Sequence, residues 1–267
     1  MKISSLEIIQ FRNLSGRNIE FSKRVNAIAG QNGTSKTALL GLIGHLFTYP
    51  SKYKTLSGKH FTTQFSEVFR LSFPEHDRPG DHNWVAKLDD GKEIPAISYE
   101  RKGGGETAAI RIRVGKSKKG SGKIHKPVIY LGMGRLFPLA LEKSIKTHPT
   151  RLENEEIDEF QRLHNEILLI TEDEVTPESI ETSNKSFYAV STKKYNHLGN
   201  SAGQDNLGQV ITALLSFKRL QKELGERYNG GILVIDELDA SLFPAAQIEL
   251  VDNLFKKSLE LDLQIFF

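Results

Sequence analysis

Cysteine is absent from this chain, which excludes disulfides and thiolate-bound metals. Long apolar runs are missing as well: no stretch approaches the roughly 20 residues that a membrane span needs. The opening "MKISSLEIIQF" alternates polar and apolar residues and lacks the unbroken apolar core of a secretory signal. Nor is there an excess of charge of one sign. A net charge of +3, from 36 basic and 33 acidic residues, makes no electrostatic case for nucleic-acid binding. The eight histidines are scattered, with no pair at metal-ligand spacing. What remains is a chain of 267 residues, 38% hydrophobic and 26% charged, long enough to bury a large core. These absences together point to a cytoplasmic protein without membrane partners.

The apolar residues that are present fall into two rhythms. "KISSLEIIQF" and "NIEFSKRVNAIAG" read as strands, with Val25–Ala29 a short buried one. The next segment is helical. Leu39, Leu42, Ile43, Leu46 and Phe47 share a face, Gly41 and Gly44 permit close packing against a sheet, and Pro50 ends the helix. Between Phe69 and Leu131, "VFRLSF", "NWVAKL", "EIPAISYERK", "TAAIRIRVG" and "KPVIYLG" read as strands of an inserted antiparallel sheet, separated by turns such as "DRPGD", "DDGK" and "KGGGE". Its loop "GKSKKGSGKIHK" is basic, and a run like Lys116–Lys126 is read as a solvated hairpin tip or a contact to nucleic-acid phosphates. Residues 139–169 are read as mostly helical, Ser186–Ser191 as a strand and Gly203–Leu224 as a helix. "ILVID", "AAQIELVDNLFKKSLE" and "LQIFF" then give strand, helix and strand, the pattern of parallel α/β pairing.

Three motifs carry chemistry. The first is "GQNGTSKT", set between a strand and a helix. A glycine-rich turn there converges backbone N–H groups on phosphate oxygens, helped by the helix N-terminus. Lys36 reaches the outer phosphates, and the Thr37 hydroxyl binds Mg²⁺. The usual second glycine is replaced by Ser35. The second is "ILVIDE", a buried strand ending in two carboxylates. Asp236 is placed to hold Mg²⁺ with Thr37, and Glu237 to polarise an attacking water. The third, "NSAGQDNLGQ", opens a helix with Ser201 and Gly203, a second anion-binding device that suits a nucleotide held by another subunit. Taken singly, a capped helix or an acidic turn explains each of the last two equally well.

In that order the three motifs resemble an ATPase head of the ABC class, in the branch of the SMC, Rad50, RecF and overcoming-lysogenization-defect (OLD) families. "GQNGTSKT" is similar to their Walker A at Gly30, Asn32, Gly33, Lys36 and Thr37, with Thr34 and Ser35 completing the loop. "NSAGQ" matches the signature at Ser201, Gly203 and Gln204, and "VIDE" matches Walker B. "DASLFP" resembles the D-loop region, and "LEIIQFRNL" the opening strand, with Arg12 in its Arg-Asn turn. The resemblance implies an α/β ABC-type head with a mixed, largely parallel core sheet, an inserted antiparallel sheet and a short helical lobe. As a single head over 1–267 it divides into a Walker A part (1–68), a β insertion (69–138), a helical lobe (139–202) and a signature-helix and Walker B part (203–267). ATP and Mg²⁺ are the implied cofactors, with Lys36 and Glu237 catalytic, and Arg12 with the two loops binding nucleotide. A self-associated dimer or higher oligomer is the implied assembly.

The departures are Ser35, Asn200, Ala202 and Phe243, where the branch has glycine, leucine, glycine and aspartate. No glutamine stands in the Q-loop position: "YLGMGRLFP" offers Arg135, and Gln64 comes early. The switch histidine is expected beyond Phe267, where the chain is expected to continue. The lobe is too short for a long coiled coil. "SAGQDNLGQ" with "DELDASLFP" looks most like the ATPase subunit (PtuA) of Septu-type or retron-associated antiphage systems, which implies an HNH-type nuclease partner. A RecF- or OLD-like repair or nuclease-fused ATPase, a P-loop kinase and a non-hydrolysing nucleotide scaffold also fit these residues.

Overall fold

The computed structural model describes residues 1–69, 71–72, 75–100, 110–116, 122–171, 174–183 and 185–267. In chain order the elements are β1 (Ile3–Gln10), β2 (Arg17–Glu20), β3 (Val25–Asn26), α1 (Lys36–His45), β4 (Phe47–Thr48), α2 (Phe65–Val68), β5 (Asn83–Leu88), β6 (Glu93–Glu100) and β7 (Ile110–Val114). They continue with β8 (Ile124–His125), β9 (Val128–Leu131), β10 (Ile145–His148), α3 (Asn154–Leu168), β11 (Thr176–Thr182), β12 (Ser186–Ser191), α4 (Ala202–Leu224), β13 (Gly231–Ile235), α5 (Pro244–Glu260) and β14 (Leu263–Phe266).

The central sheet runs β3-β14-β13-β9, and all of its pairings are parallel. β13 shows why it lies at the centre. Every residue is apolar or glycine, so both faces need cover. Ile232 and Val234 pack with α1 and the antiparallel sheet, and Leu233 and Ile235 with α3, α4 and α5. Parallel strands end on one edge. That edge gathers the loop after β3, the turn after β9 and Asp236 after β13, the crevice in which open α/β sheets place their ligands.

The antiparallel sheet runs β2-β1-β5-β6-β7. It is therefore not a free-standing insertion: the N-terminal strands β1 and β2 are two of its five. "KPVIYLG" does not belong to it either, because β9 pairs in parallel with β13. "VFRLSF" does not read as one strand, because α2 ends at Val68; Arg70, Phe73 and Pro74 lie outside the described residues. Residues 101–109 and 117–121, with the "KGGGE" turn and the middle of the basic loop, also lie outside them.

Three further differences have local causes. α1 stops at His45, well before Pro50, because the chain turns there to pair β4 with β8. Gly44 packs near Tyr130 of β9, as a sheet contact requires, but a Cβ on Gly41 would strike Val68 and Phe69 at 2.4 and 2.5 Å, so that glycine seats α2. The lobe between β9 and α4 holds α3 as expected and adds the antiparallel sheet β10-β11-β12, of which only Ser186–Ser191 was legible. Among the described residues no helix is long and apolar enough to cross a membrane.

Candidate functional site

The loop after β3 is built tightly. Ile28 N donates to Phe267 O at 2.6 Å, so sheet pairing runs almost to the loop itself. Thr34 Oγ1 then donates to Gln31 O at 2.7 Å and closes a turn. Two residues adopt the left-handed conformation, Gly33 (φ 81°) and Ser35 (φ 66°). The second position is the one at which the sequence lacks its usual glycine, and the structure gives a reason for that preference: a Cβ is strained there. Lys36 Nζ donates back across the loop to Gly30 O and Gln31 O at 2.8 and 3.1 Å.

Thr37 and Asp236 meet, although they stand 199 residues apart: Thr37 Oγ1 donates to Asp236 Oδ1 at 3.2 Å. Asp236 is 1% exposed, and its Oδ2 has no hydrogen-bond partner. A buried carboxylate oxygen left open costs on the order of 1–3 kcal/mol unless something positive or donating reaches it. With the threonine hydroxyl beside it, the donor set is all oxygen, which fits Mg²⁺. Burial and then the Asp236 charge push the pKa of the neighbouring Tyr130 hydroxyl up.

Glu237 follows in a left-handed conformation, φ 52°. Its carbonyl accepts from Arg135 Nη2 at 2.7 Å. Arg135 itself is 4% exposed. Its Nε donates to Asn206 Oδ1 at 2.8 Å, and its Nη1 to Leu131 O and Gly132 O, each at 3.3 Å. Burial pushes the guanidinium down to about 10, against the pull of Asp236, and it stays charged at neutral pH. Arg135 thus ties the end of β9 to Glu237 and to α4. Gln64 instead caps α2, its backbone N–H bonded to Glu67.

The signature residues are satisfied among themselves and their neighbours. Ser201 caps α4: its hydroxyl accepts from Gln204 N at 3.2 Å, and its own N–H donates to Gln204 Oε1 at 3.0 Å. Gln204 Nε2 donates to Tyr195 Oη at 2.8 Å. Gly203 lies against the turn after Glu237, where a Cβ would stand 2.6 Å from Ser241 O. Asn206 Nδ2 holds the same turn through Ala240 O at 3.0 Å. These contacts do not reach Lys36 or Thr37.

The structure therefore brings Thr37 and Asp236 together beside the Lys36 loop, whose Asn32, Gly33 and Thr34 are exposed, with Glu237 next in the chain, and sets Ser201, Gly203 and Gln204 apart as a second group. Arg12 is held elsewhere, paired with Asp77 at 3.2 and 3.4 Å. Lys123 and Lys126 are no solvated tip. Lys126 is buried, donating to Met1 O and Asn229 O at 2.8 Å, and burial pushes both ammonium groups down to about 8. The bridge through Arg135 and Asn206 was not foreseen.

The comparisons agree with this architecture. An AAA domain family model (AAA_23) matches residues 5–261. Over 80 residues the chain is 31% identical to "DNA replication and repair protein RecF" of Clostridioides difficile (strain 630), an alignment covering 29% of this chain and 21% of that protein. The chain thus spans about a fifth of that relative's length. A solved structure of the recombination mediator protein RecF with ATP in the RecFOR pathway superimposes with a TM-score of 0.50 at 13% identity, covering 100% of this chain and 91% of that one. A second structure of that mediator, titled RecF-ATPrS, gives a TM-score of 0.46 at 13% identity, covering 99% and 91%.

Proposed function

The chain belongs to the AAA domain family, its fold is that of a RecF-like ATPase head, and from that premise we propose that it binds and hydrolyses Mg²⁺-ATP. The observation that carries this reading is the meeting of Thr37 with a buried Asp236 whose second oxygen is open, at the mouth of a loop built for phosphate. Thr37 and Asp236 hold the cation. Lys36 leaves the carbonyls of Gly30 and Gln31 for the outer phosphates, and the loop N–H groups with the start of α1 cradle them. Bound Mg²⁺ neutralises charge on the phosphates. Glu237 orients a water and takes its proton. The capped N-terminus of α4, with Ser201, Gly203 and Gln204, faces the nucleotide of a second copy, so that two heads close around ATP and part on hydrolysis.

Glu237→Gln tests this. We expect ATP binding to survive, hydrolysis to fall about 100-fold or more, and dimers or larger assemblies to accumulate in ATP by light scattering. Assembly unchanged by ATP overturns the reading. Turnover only with a small acceptor indicates a P-loop kinase; binding without turnover indicates a scaffold.

Two outputs follow from different observations. The motif pair "SAGQDNLGQ" and "DELDASLFP" supports control of a separate HNH-type nuclease in antiphage defence. The 80-residue match to RecF supports ATP-dependent engagement of DNA. Comparing ATP-dependent retention on duplex DNA with ATP-dependent co-elution of the nuclease separates the two.

A further inference from the structure

A cavity of about 590 Å³ lies along β9, which is the free edge of the central sheet, on ground that the nucleotide site does not use. The segment 55–64, the turn at Gly132–Arg135, Lys185 and α4 enclose it, and no residue of the phosphate loop lines it. Its charge is lopsided. Arg135 and Lys185 line it, each 4% exposed, with Lys59 and His60 at the exposed rim; the one carboxylate of the lining, Glu67, is exposed and engaged in capping α2. Lys185 Nζ donates to Phe137 O at 2.6 Å and to Arg135 O at 3.3 Å, so the ammonium is tied to the backbone of the segment that carries the second buried cation. Among the described residues neither forms an ion pair: Asp205 and Glu142 act on Lys185 only from a distance, as Asp236 and Glu237 do on Arg135. Two buried positive charges without an anion in contact are costly. The wall also holds a donor with nothing to bond. Thr63 is 1% exposed, and its hydroxyl has no hydrogen-bond partner.

We propose that this cavity binds a small phosphate-bearing anion and that Arg135 reports its occupancy to the nucleotide site. An ammonium that bonds two carbonyls and lies 5.0 Å from the Phe187 ring centroid, a guanidinium and a hydroxyl without a partner suit a tetrahedral oxyanion, which accepts from several directions at once. The space exceeds a bare phosphate and is of the size usual for small-molecule sites, and Val128, Ile129 and Ala213 offer an apolar wall to an organic body. The readout is built in. The guanidinium that lines the cavity also holds the Glu237 carbonyl and Asn206 of α4, so an anion that draws Arg135 shifts both. The coupling, though not the binding, rests on the ATP reading above.

The test uses the full chain carrying Lys36→Ala, which removes the phosphate grip of the loop. Melting temperature is followed against inorganic phosphate and, separately, AMP. We expect a saturable rise on the order of 5 °C at about a hundredfold over Kd. A response to both probes assigns the site to the phosphate group, and a response to AMP alone assigns it to an organic phosphate. Lys185→Gln should abolish the rise. Thr63→Val should raise the melting temperature without ligand, since it removes an unpaired hydroxyl, and weaken binding about tenfold. Thr63→Val decides the matter where Lys185→Gln fails to fold. No saturable rise with either probe, or a rise unchanged by Thr63→Val, overturns the site. A second measurement addresses the coupling: a probe that binds yet leaves wild-type ATP hydrolysis unaltered overturns it. Phosphate binding in the Lys36→Ala protein, combined with no ATP binding in the wild type, sinks the ATP reading and leaves this cavity standing.

Discussion

The two halves of the proposed nucleotide machinery are finished to different degrees within one chain. At the phosphate loop, Lys36 bonds only to the carbonyls of its own loop, Asp236 keeps a buried oxygen open, and Ser35 sits in a strained conformation. At the signature helix Ser201, Gly203 and Gln204 have found their places, although the Asn200 amide and Asp205 Oδ1 nearby stay buried without a hydrogen-bond partner. Ser201 and Gln204 cap each other, Gly203 lies under Ser241 O, and Asn206 pins the turn that follows Glu237. A site that must receive charge leaves its charges unmatched, whereas a surface that must present a fixed shape is closed by internal bonds. Arg135 touches both, through Glu237 on one side and Asn206 on the other. On this view the first half is a receptor and the second a rigid tool.

The comparison is most exposed at Asp236. If its open oxygen awaits a cation, Asp236→Asn should cost about 100-fold in Mg²⁺-dependent ATP affinity, measured by calorimetry with and without Mg²⁺. The same change removes a buried, half-paired charge. The ligand-free variant should therefore melt higher, by roughly 2–4 °C for each kcal/mol gained. Loss of stability without nucleotide, together with unchanged Mg²⁺ dependence, would make Asp236 a structural residue and break the contrast.

Gly203 tests the other half. A methyl there meets a backbone carbonyl at 2.6 Å, not a side chain that can swing away. Gly203→Ala should cost about 1–3 kcal/mol by overpacking, read as a lowered melting temperature. It should leave ATP affinity of the single head within about twofold and abolish ATP-dependent assembly. An equal loss of ATP affinity would show that the two halves are not separable in this way.

How far the sequence carried these distinctions follows from what each residue does. β13 and α4 were legible because their patterns depend only on burial: a strand apolar on both faces, and a long amphipathic helix behind a Ser-x-x-Gln cap. "KPVIYLG" was legible as a strand but not as a parallel one, because partner direction leaves no mark on the alternation. β10 was invisible: three of its four residues are exposed and it has no apolar rhythm. Lys123 and Lys126 misled for the opposite reason. Lysines in a glycine-rich run look solvated, and only the fold carries their stems inward to backbone carbonyls. Of the site, Thr37 with Asp236 was legible because each motif predicts its partner's chemistry. Arg135 was noticed only as the wrong residue for a Q-loop, since its partners, Glu237 O and Asn206, come from distant segments that spacing cannot join.

Ser35 gives the smallest expected effect and the finest test of the receptor half. Its φ of 66° and ψ of 28° are backbone values that glycine adopts freely and other residues adopt at about 1 kcal/mol. That strain is carried whether or not nucleotide is present, provided the loop keeps its shape. Ser35→Gly should then raise melting temperature slightly and leave ATP affinity within about twofold. If instead the loop reshapes around phosphate, the strain falls on one state only, and affinity moves by up to about fivefold, the equivalent of 1 kcal/mol. Tighter binding by the glycine variant would place the strain in the bound loop, so that the serine acts as a brake on nucleotide capture. Weaker binding would show that the serine hydroxyl itself touches phosphate, a contact worth more than the strain it costs. Measuring affinity and melting temperature on the same two proteins distinguishes all three, because only a strain common to both states moves stability without moving affinity.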